Sequence, residues 1–298
     1  MKFPESGVIP VDKPAGVSSR GVVDVVARAL RTKAVGHAGT LDPLARGVVL
    51  ACVGHATKLV DYLHDLPKHY AATFLLGRSS PSDDFETPIE EELAPLRPTL
   101  AAVEAAAAAF RGDIRQRPCD YSAVHVDGKR AYRLARKGRP VALEPKPVRI
   151  DRLEITGYEW PRLAVEIECS SGTFVRAIGR DLAESLGTRA VMESLVRTAV
   201  GPFTLAACTP LAAIDPQNVR GLLVPPAHAV GHLPRVVLDD DVLPRAVRGF
   251  LLPLPDQREP LPDVPAIAAL DARGELVGIL KRLDAGRYRL RPNFLGEG

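Results

Sequence analysis

Apolar residues recur along this chain at two spacings, and the elements they predict follow one another in mixed order. Val8, Ile9 and Val11 form a short apolar run that leads into Asp12-Lys13-Pro14-Ala15-Gly16, so Gly7 to Pro14 reads as a buried strand closed by a Pro/Gly turn. Val22, Val26, Ala29 and Leu30 repeat at helical spacing behind Ser18 and Ser19, which offer an N-cap. Arg28, Arg31 and Lys33 stand near the far end, where the helix dipole favours cations, so a helix is predicted from about Ser19 to Leu30. Gly36 to Gly47 holds three glycines and a proline and is too broken for regular structure. Apolar Val48 to Val53 follows it, and the segment reads as a loop held between rigid elements, where chemistry tends to be mounted.

Thr57 to Leu66 reads as helix, and Tyr70 to Leu76 alternates as a half-buried strand does. Leu100 to Phe110 is an alanine-rich helix with Gly112 as its C′ residue. Leu163 to Cys169 reads as a strand and Thr173 to Leu186 as a helix closed by Gly187. The elements alternate without a βαβ rhythm, which predicts an α+β fold with a mixed, mainly antiparallel sheet flanked by helices. Proline density rises from Pro202, and Pro225, Pro226 and Pro234 mark a linker. Short strand-like runs follow at Ala266 to Leu270, Glu275 to Lys281 and Arg287 to Arg291, with turns at Ala272-Arg273-Gly274 and Asp284-Ala285-Gly286, and predict a compact all-β module. At 298 residues the chain fits a large domain over 1–232 and a small one over 233–298.

With 46% hydrophobic and 25% charged residues, the chain has the composition of a globular protein and not of a disordered one. The formal charge of +3 hides an uneven distribution. From Arg111 to Arg149 there are eleven basic residues against four acidic ones, with Tyr121, His125 and Tyr132 interleaved and Pro118, Pro140, Pro145 and Pro147 arguing for an irregular excursion. Such a stripe suits a phosphate-backbone partner, although charge alone equally describes a solvated loop. Cys52, Cys119, Cys169 and Cys208 stand far apart without a C-x-x-C pair, which predicts reduced thiols and a cytoplasmic setting, with neither zinc knuckle nor disulfide scaffold. No signal segment and no membrane-length apolar run is present.

Walker, Rossmann and G-x-S-x-G signatures are absent. His228 and His232 have the spacing of a helical metal pair but no glutamate between them and prolines around them, so no metal site is expected. Asp42 stands out by its frame. Pro43 biases it toward extended backbone, and Gly36, Gly39 and Gly47 allow tight turns on either side. Without its neighbours it would read as the structural carboxylate of an Asp-Pro turn.

The neighbours reverse that judgement. Gly36-His37-Ala38-Gly39-Thr40-Leu41-Asp42-Pro43-Leu44-Ala45-Arg46-Gly47 resembles, almost residue for residue, the active-site motif of the bacterial tRNA pseudouridine-55 synthases. Val11 to Ser19 is similar to that family's opening motif and Lys68-His69-Tyr70 to its base-stacking segment. Pro118-Cys119-Asp120-Tyr121-Ser122-Ala123, with Gly128, Tyr132 and Ala135-Arg136, is similar to its RNA-contacting insertion. Cys169 to Arg176 resembles the motif that carries an aromatic residue and an arginine. The resemblance spans about residues 7 to 205, and the C-terminal module looks like a small β-barrel RNA-binding domain of the PUA type.

The resemblance implies isomerisation of uridine to pseudouridine at position 55 in the T loop of tRNA, with Asp42 as the catalytic carboxylate. Breaking the N1 glycosidic bond, rotating the base and rejoining it through C5 needs no metal, nucleotide or redox cofactor, and one carboxylate can act as nucleophile or acid/base. Glycosidases use two carboxylates, and no obvious second acid stands beside Asp42. By resemblance Arg176 pairs with Asp42, Tyr70 stacks on the uracil, Phe174 and Leu195 line the base pocket, and His37 holds the flipped-out RNA. Lys13 gives structural support and phosphate contact, and Asp84, Tyr121, Arg130, Arg133 and Arg136 contact RNA, the basic insertion over about 115–149 acting as a clamp.

Three positions depart from the family pattern. Phe174 stands where tyrosine is usual and brings no hydroxyl, Ser80-Pro81-Ser82 replaces Thr-Asp-Thr, and Pro118-Cys119 replaces a double proline. The last two are expected to touch RNA-contacting or supporting positions. The leading expectation is a monomer that binds the T-arm stem-loop with no obligate protein partner. A guide-RNA-dependent relative and a tRNA-folding chaperone indifferent to catalysis are the alternatives; the long insertion favours the first reading.

Overall fold

In the third strand of the sheet, Arg46–Val53, odd-numbered Val49, Ala51 and Val53 enter one hydrophobic core while even-numbered Val48, Leu50 and Cys52 enter a second. Side chains alternate across a strand, so a continuous apolar run marks a strand covered on both faces. The computed structural model describes residues 5–122, 124–126, 128–138, 143–250, 252–253, 264–284 and 287–294. Ala123, Asp127, Arg139, Pro140, Ala285 and Gly286, all used in the sequence reading, lie outside the described residues.

The main sheet is built from β1 (Gly7–Lys13), β2 (Val35–Ala38), β3 (Arg46–Val53), β4 (Lys68–Leu76), β5 (Gly112–Gln116), β6 (Lys146–Glu159), β7 (Arg162–Cys169) and β8 (Ala190–Val200). Its spatial order is β1-β3-β8-β4-β7-β6-β5, with β2 beside β3 and the short strand Thr209–Pro210 beyond β1. Only β3–β8 and β1 with Thr209–Pro210 are parallel among these pairs, so the mixed, mainly antiparallel sheet is as expected.

Helix α1 (Ser19–Leu30) has the predicted bounds: Ser18 Oγ accepts from the Gly21 amide at 3.0 Å, and the helix ends at Arg31 in the left-handed conformation. The segment Gly54 to His64 is a 3₁₀ turn, Gly54–Leu59, followed by α2 (Val60–His64). Helix α3 (Leu100–Ala108) stops short of Gly112, whose positive φ instead opens β5, so Gly112 is not the helix cap. The basic segment is less irregular than its prolines imply. It leaves from β5, forms a small hairpin (His125–Val126 with Lys129–Arg130) and the short helix α4 (Ala131–Ala135), and returns as β6. Helix α5 (Val175–Ser185) packs on the sheet through Val175, Ile178, Leu182 and Ala183.

A second, five-stranded sheet runs in the order Arg235–Val237, Ala266–Leu270, Leu276–Asp284, Arg287–Asn293, Leu252–Pro253. It carries a short helix, Leu243–Val247, so the module is not all-β. Pro225 and Pro226 do not belong to a free linker. Pro226 opens a four-residue helix whose Ala227 and Ala229 are buried in the second core, together with Val8, Leu50 and Leu63 and with Ala268, Leu270, Ile279 and Phe294 of the C-terminal sheet.

Candidate active site

Between β2 and β3 the chain turns through residues 39 to 45, and nearly every backbone carbonyl there has a side-chain or main-chain partner. Ser19, the first residue of α1, accepts from the Leu41 amide at 2.8 Å and donates to its carbonyl at 3.0 Å. Arg197 of β8 donates to Gly39 O at 3.1 Å and Thr40 O at 3.3 Å. Lys13 at the end of β1 donates to Pro43 O at 3.3 Å and to Ala45 O, as well as to Pro14 O and Val17 O. The Gly16 amide reaches Pro43 O at 2.7 Å, and Ala45 N–H reaches Asp42 O at 3.1 Å. Buried peptide groups must be paired, and here the pairing fixes the backbone of the loop that presents Asp42. Gly47 is required by close approach: its φ is +109°, and a Cβ there would lie 2.2 Å from the Arg197 carbonyl.

Asp42 opens onto a pocket lined by Tyr70, Phe174, Arg176, Leu195 and Arg197. Its Oδ2 lies 3.1 Å from Arg176 Nη2, and its side chain is 37% exposed into the pocket whereas that of Arg176 is 5% exposed. The guanidinium is held in turn by Asp84 Oδ2 at 3.2 Å from Nη1, by Ser82 O at 2.8 Å and by Tyr121 O at 3.1 Å. Desolvation by the surrounding protein pushes the Asp42 carboxyl above its ordinary range; Arg176 draws it back down, Asp84 and Glu86 add to the rise, and Lys13 opposes it. The accessible face and the desolvation coexist because the carboxylate sits at the floor of the cavity, walled by protein yet open on the pocket side.

Tyr70 on β4 is buried and lies directly opposite Arg197 of β8 and Ile167 of β7 in the sheet register. Burial raises its hydroxyl pKa and Arg197 opposes the rise, so the phenol is neutral. Leu195, two residues before Arg197, is also buried. Phe174 caps α5 without a capping side chain of its own. Gln116, at the end of β5, supplies the bonds instead, accepting from the Phe174 amide at 2.8 Å and donating to its carbonyl at 3.1 Å. Lys68 also lines the pocket; burial lowers its pKa to about 8, and it donates to His64 O.

The structure therefore gathers Asp42, Arg176, Tyr70, Phe174 and Leu195 around one cavity, but moves other expected contacts away from it. Asp84 is 2% exposed and is committed to Arg176, so it supports the arginine and does not reach out to an RNA contact. Lys13 is fully buried with its ammonium on four carbonyls, which supports the loop and leaves no phosphate contact. Ser80 and Ser82 are drawn inward as well: Ser80 Oγ donates to Asp84 O at 2.6 Å, Ser82 bonds Thr87 and Asp84, and the Ser82 carbonyl accepts from Arg176, so these two serines support the Arg176 site while Pro81 between them stays exposed.

Cys119 is buried, and Arg180 Nη2 donates to Arg117 O at 2.8 Å, which ties the root of the insertion to α5. His37 lies on β2, part-buried and outside the pocket lining, not in a loop. Tyr121 reaches the site through its carbonyl, Arg130 and Arg133 are exposed, and Arg136 is committed to Glu86 at 2.5 Å. His228 lies in the short helix and His232 beyond its end, so they share no helix face. Among the described residues no cluster of His, Cys, Asp and Glu could hold a metal ion, and no helix is long and apolar enough to cross a membrane.

Ser19, Gln116 and Arg197 are absent from the candidates read in the sequence as site residues. Ser19 read as a helix cap, and glutamine and arginine on strands carry no local signal.

The model of the TruB family pseudouridylate synthase N-terminal domain matches residues 27–175. Over 294 residues the chain is 36% identical to tRNA pseudouridine synthase B of Dehalococcoides mccartyi, covering 97% of each sequence. The chain belongs to the TruB family. Another TruB-family relative, tRNA pseudouridine synthase B of Mycobacterium tuberculosis H37Rv, is 45% identical over 203 residues, 67% of this chain and 68% of that one. The fold is also that of the archaeal box H/ACA sRNP Nop10–Cbf5 complex structure, with a TM-score of 0.74 at 21% identity over 98% of this chain and 86% of that one.

Proposed function

We propose that this chain isomerises uridine to pseudouridine at position 55 in the T loop of tRNA, with Asp42 as its catalytic carboxylate. The observation that carries the reading is the pairing of a pocket-facing aspartate with a buried arginine at 3.1 Å, beneath Tyr70 and beside Leu195 and Phe174. A permanent cation at contact distance opposes the desolvation and favours the ionised carboxylate, the form a nucleophile or base requires. Apolar walls and an aromatic face receive a base taken out of its stack. Phe174 contributes packing only, and Tyr70 is the phenol that lines the pocket.

The exposed Arg130 and Arg133 of the insertion grip the RNA backbone, and His37 lies beside the entering nucleotide. Residues 1–232 form the catalytic part and 233–298 an RNA-binding part of the PUA type. The protein works in the cytoplasm as a monomer on the T-arm stem-loop.

The test is pseudouridine formation on an unmodified T-arm stem-loop by wild type and Asp42→Asn, without metal or nucleotide, read by carbodiimide-adduct primer extension. Wild type modifies one loop uridine and the variant modifies none. If both bind the RNA and neither modifies it, the tRNA-folding alternative replaces this reading.

A further inference from the structure

Arg197 is 1% exposed and is among the largest side chains buried so completely in the described residues. A buried guanidinium normally meets a carboxylate, because an uncompensated charge is costly to desolvate. Among the described residues, no acid lies within ion-pair distance of this one. Its donors go to peptide carbonyls: Nε to Val48 O at 2.7 Å, Nη1 to Thr40 O at 3.3 Å and Nη2 to Gly39 O at 3.1 Å. Those carbonyls belong to the two arms of the loop that presents Asp42. The backbone of the same residue closes on Gly47 in the parallel β8–β3 pair, and its register partner on the other side is Tyr70. Immediately after it the β8–β4 register slips, between Arg197 and Ala199, an irregularity of the kind that re-aims side chains near active sites.

We propose that Arg197 is a positioning residue that fixes Asp42 relative to Tyr70, gripping the aspartate's loop through all three nitrogens of its guanidinium and abutting the tyrosine from the next strand. A guanidinium has five N–H donors and no acceptor. A phenol beside it therefore turns its oxygen toward the arginine and its proton toward the pocket, where it can donate to a uracil carbonyl. Lysine in its place would keep the charge but concentrate its donors on one nitrogen, too compact to span Gly39, Thr40 and Val48.

This inference rests on the isomerase reading above, and the experiment separates the two. Full-length wild type, Arg197→Lys and Arg197→Met are compared for single-turnover pseudouridine formation at saturating stem-loop, for RNA dissociation constant, and for amide hydrogen exchange at Leu41 and Ala45. Arg197→Lys is expected to lose about a hundredfold in rate, the cost of a misplacement on the order of 1 Å. Its dissociation constant stays within about threefold of wild type, and exchange at the two loop amides rises while that in α1 does not. A wild-type rate in Arg197→Lys, or a loss confined to RNA affinity, overturns the proposal, and Arg197→Lys decides alone if Arg197→Met does not fold. An inactive wild type would sink the isomerase reading, and unchanged loop exchange in Arg197→Lys would then sink this one as well.

Discussion

At the scale of single residues, Asp42 shows how opposed effects act on one pocket carboxylate. Desolvation raises its pKa above the ordinary 3.8, Arg176 lowers it, and the acids Asp84 and Glu86 raise it again. The proposed chemistry needs the ionised form, so activity is expected above the shifted pKa and is expected to be lost as pH falls through it. The acid limb of kcat/KM on the stem-loop is accordingly expected above the pH at which an ordinary aspartate titrates. Asp84→Asn removes a like charge and leaves Arg176 more completely to Asp42; both changes lower the Asp42 pKa. The expected outcome is an acid limb displaced to lower pH in that variant, measured as a pH–rate profile. A limb that moves upward would mean that Asp84 acts on Asp42 chiefly by holding Arg176 in place.

At the scale of elements, local patterns were readable and tertiary demands were not. Helix α1 could be bounded from its cap and its apolar spacing, and β4 from alternation. Strand β8 was missed because Glu193 and Arg197 interrupt its apolar run, and Arg197 is there to bind a loop that is adjacent only in the folded chain. Strand β6 was missed because one of its faces is charged and exposed and prolines flank its start. Turn chemistry alone left Asp42 a structural carboxylate of an Asp-Pro turn; it stood out as a candidate through the resemblance of Gly36 to Gly47 to a family motif. Asp84 was misassigned because its burial depends on Arg176, brought in by α5. The basic insertion is an element whose exposed cations were legible as charge. Arg130→Glu with Arg133→Glu is expected to weaken stem-loop binding and to reduce the slope of log affinity against log salt by about 2, with the far-UV circular dichroism unchanged; an unaltered dissociation constant would remove these two residues from the clamp.

At the scale of the molecule, the second core joins what the sequence divides. Val8, Val48 and Leu50 of the main sheet share it with Ala268, Leu270, Ile279 and Phe294 of the C-terminal sheet, and the rings of His55 and Phe294 stand 5.7 Å apart. Lys58 Nζ reaches Asn293 O at 3.3 Å across the same junction. Calorimetry of the full chain is expected to show one cooperative transition. A chain ended at His232 loses several buried aliphatic contacts, each worth about 1.5–3 kcal/mol, and should melt roughly 10 °C lower or more; two resolved transitions in the full chain would show that the parts unfold independently.

The strand order has a further consequence for how this protein comes into being. Strand β8 lies between β3 and β4, and Arg176 comes from α5, just ahead of β8 in the chain. The early strands therefore cannot close into their sheet until Val200 has emerged from the ribosome. A nascent chain carries Asp42 as an ordinary solvated carboxylate until Arg176 and then β8 have been made, so the pocket around it, and with it the desolvation of its carboxyl, comes into being late, by assembly.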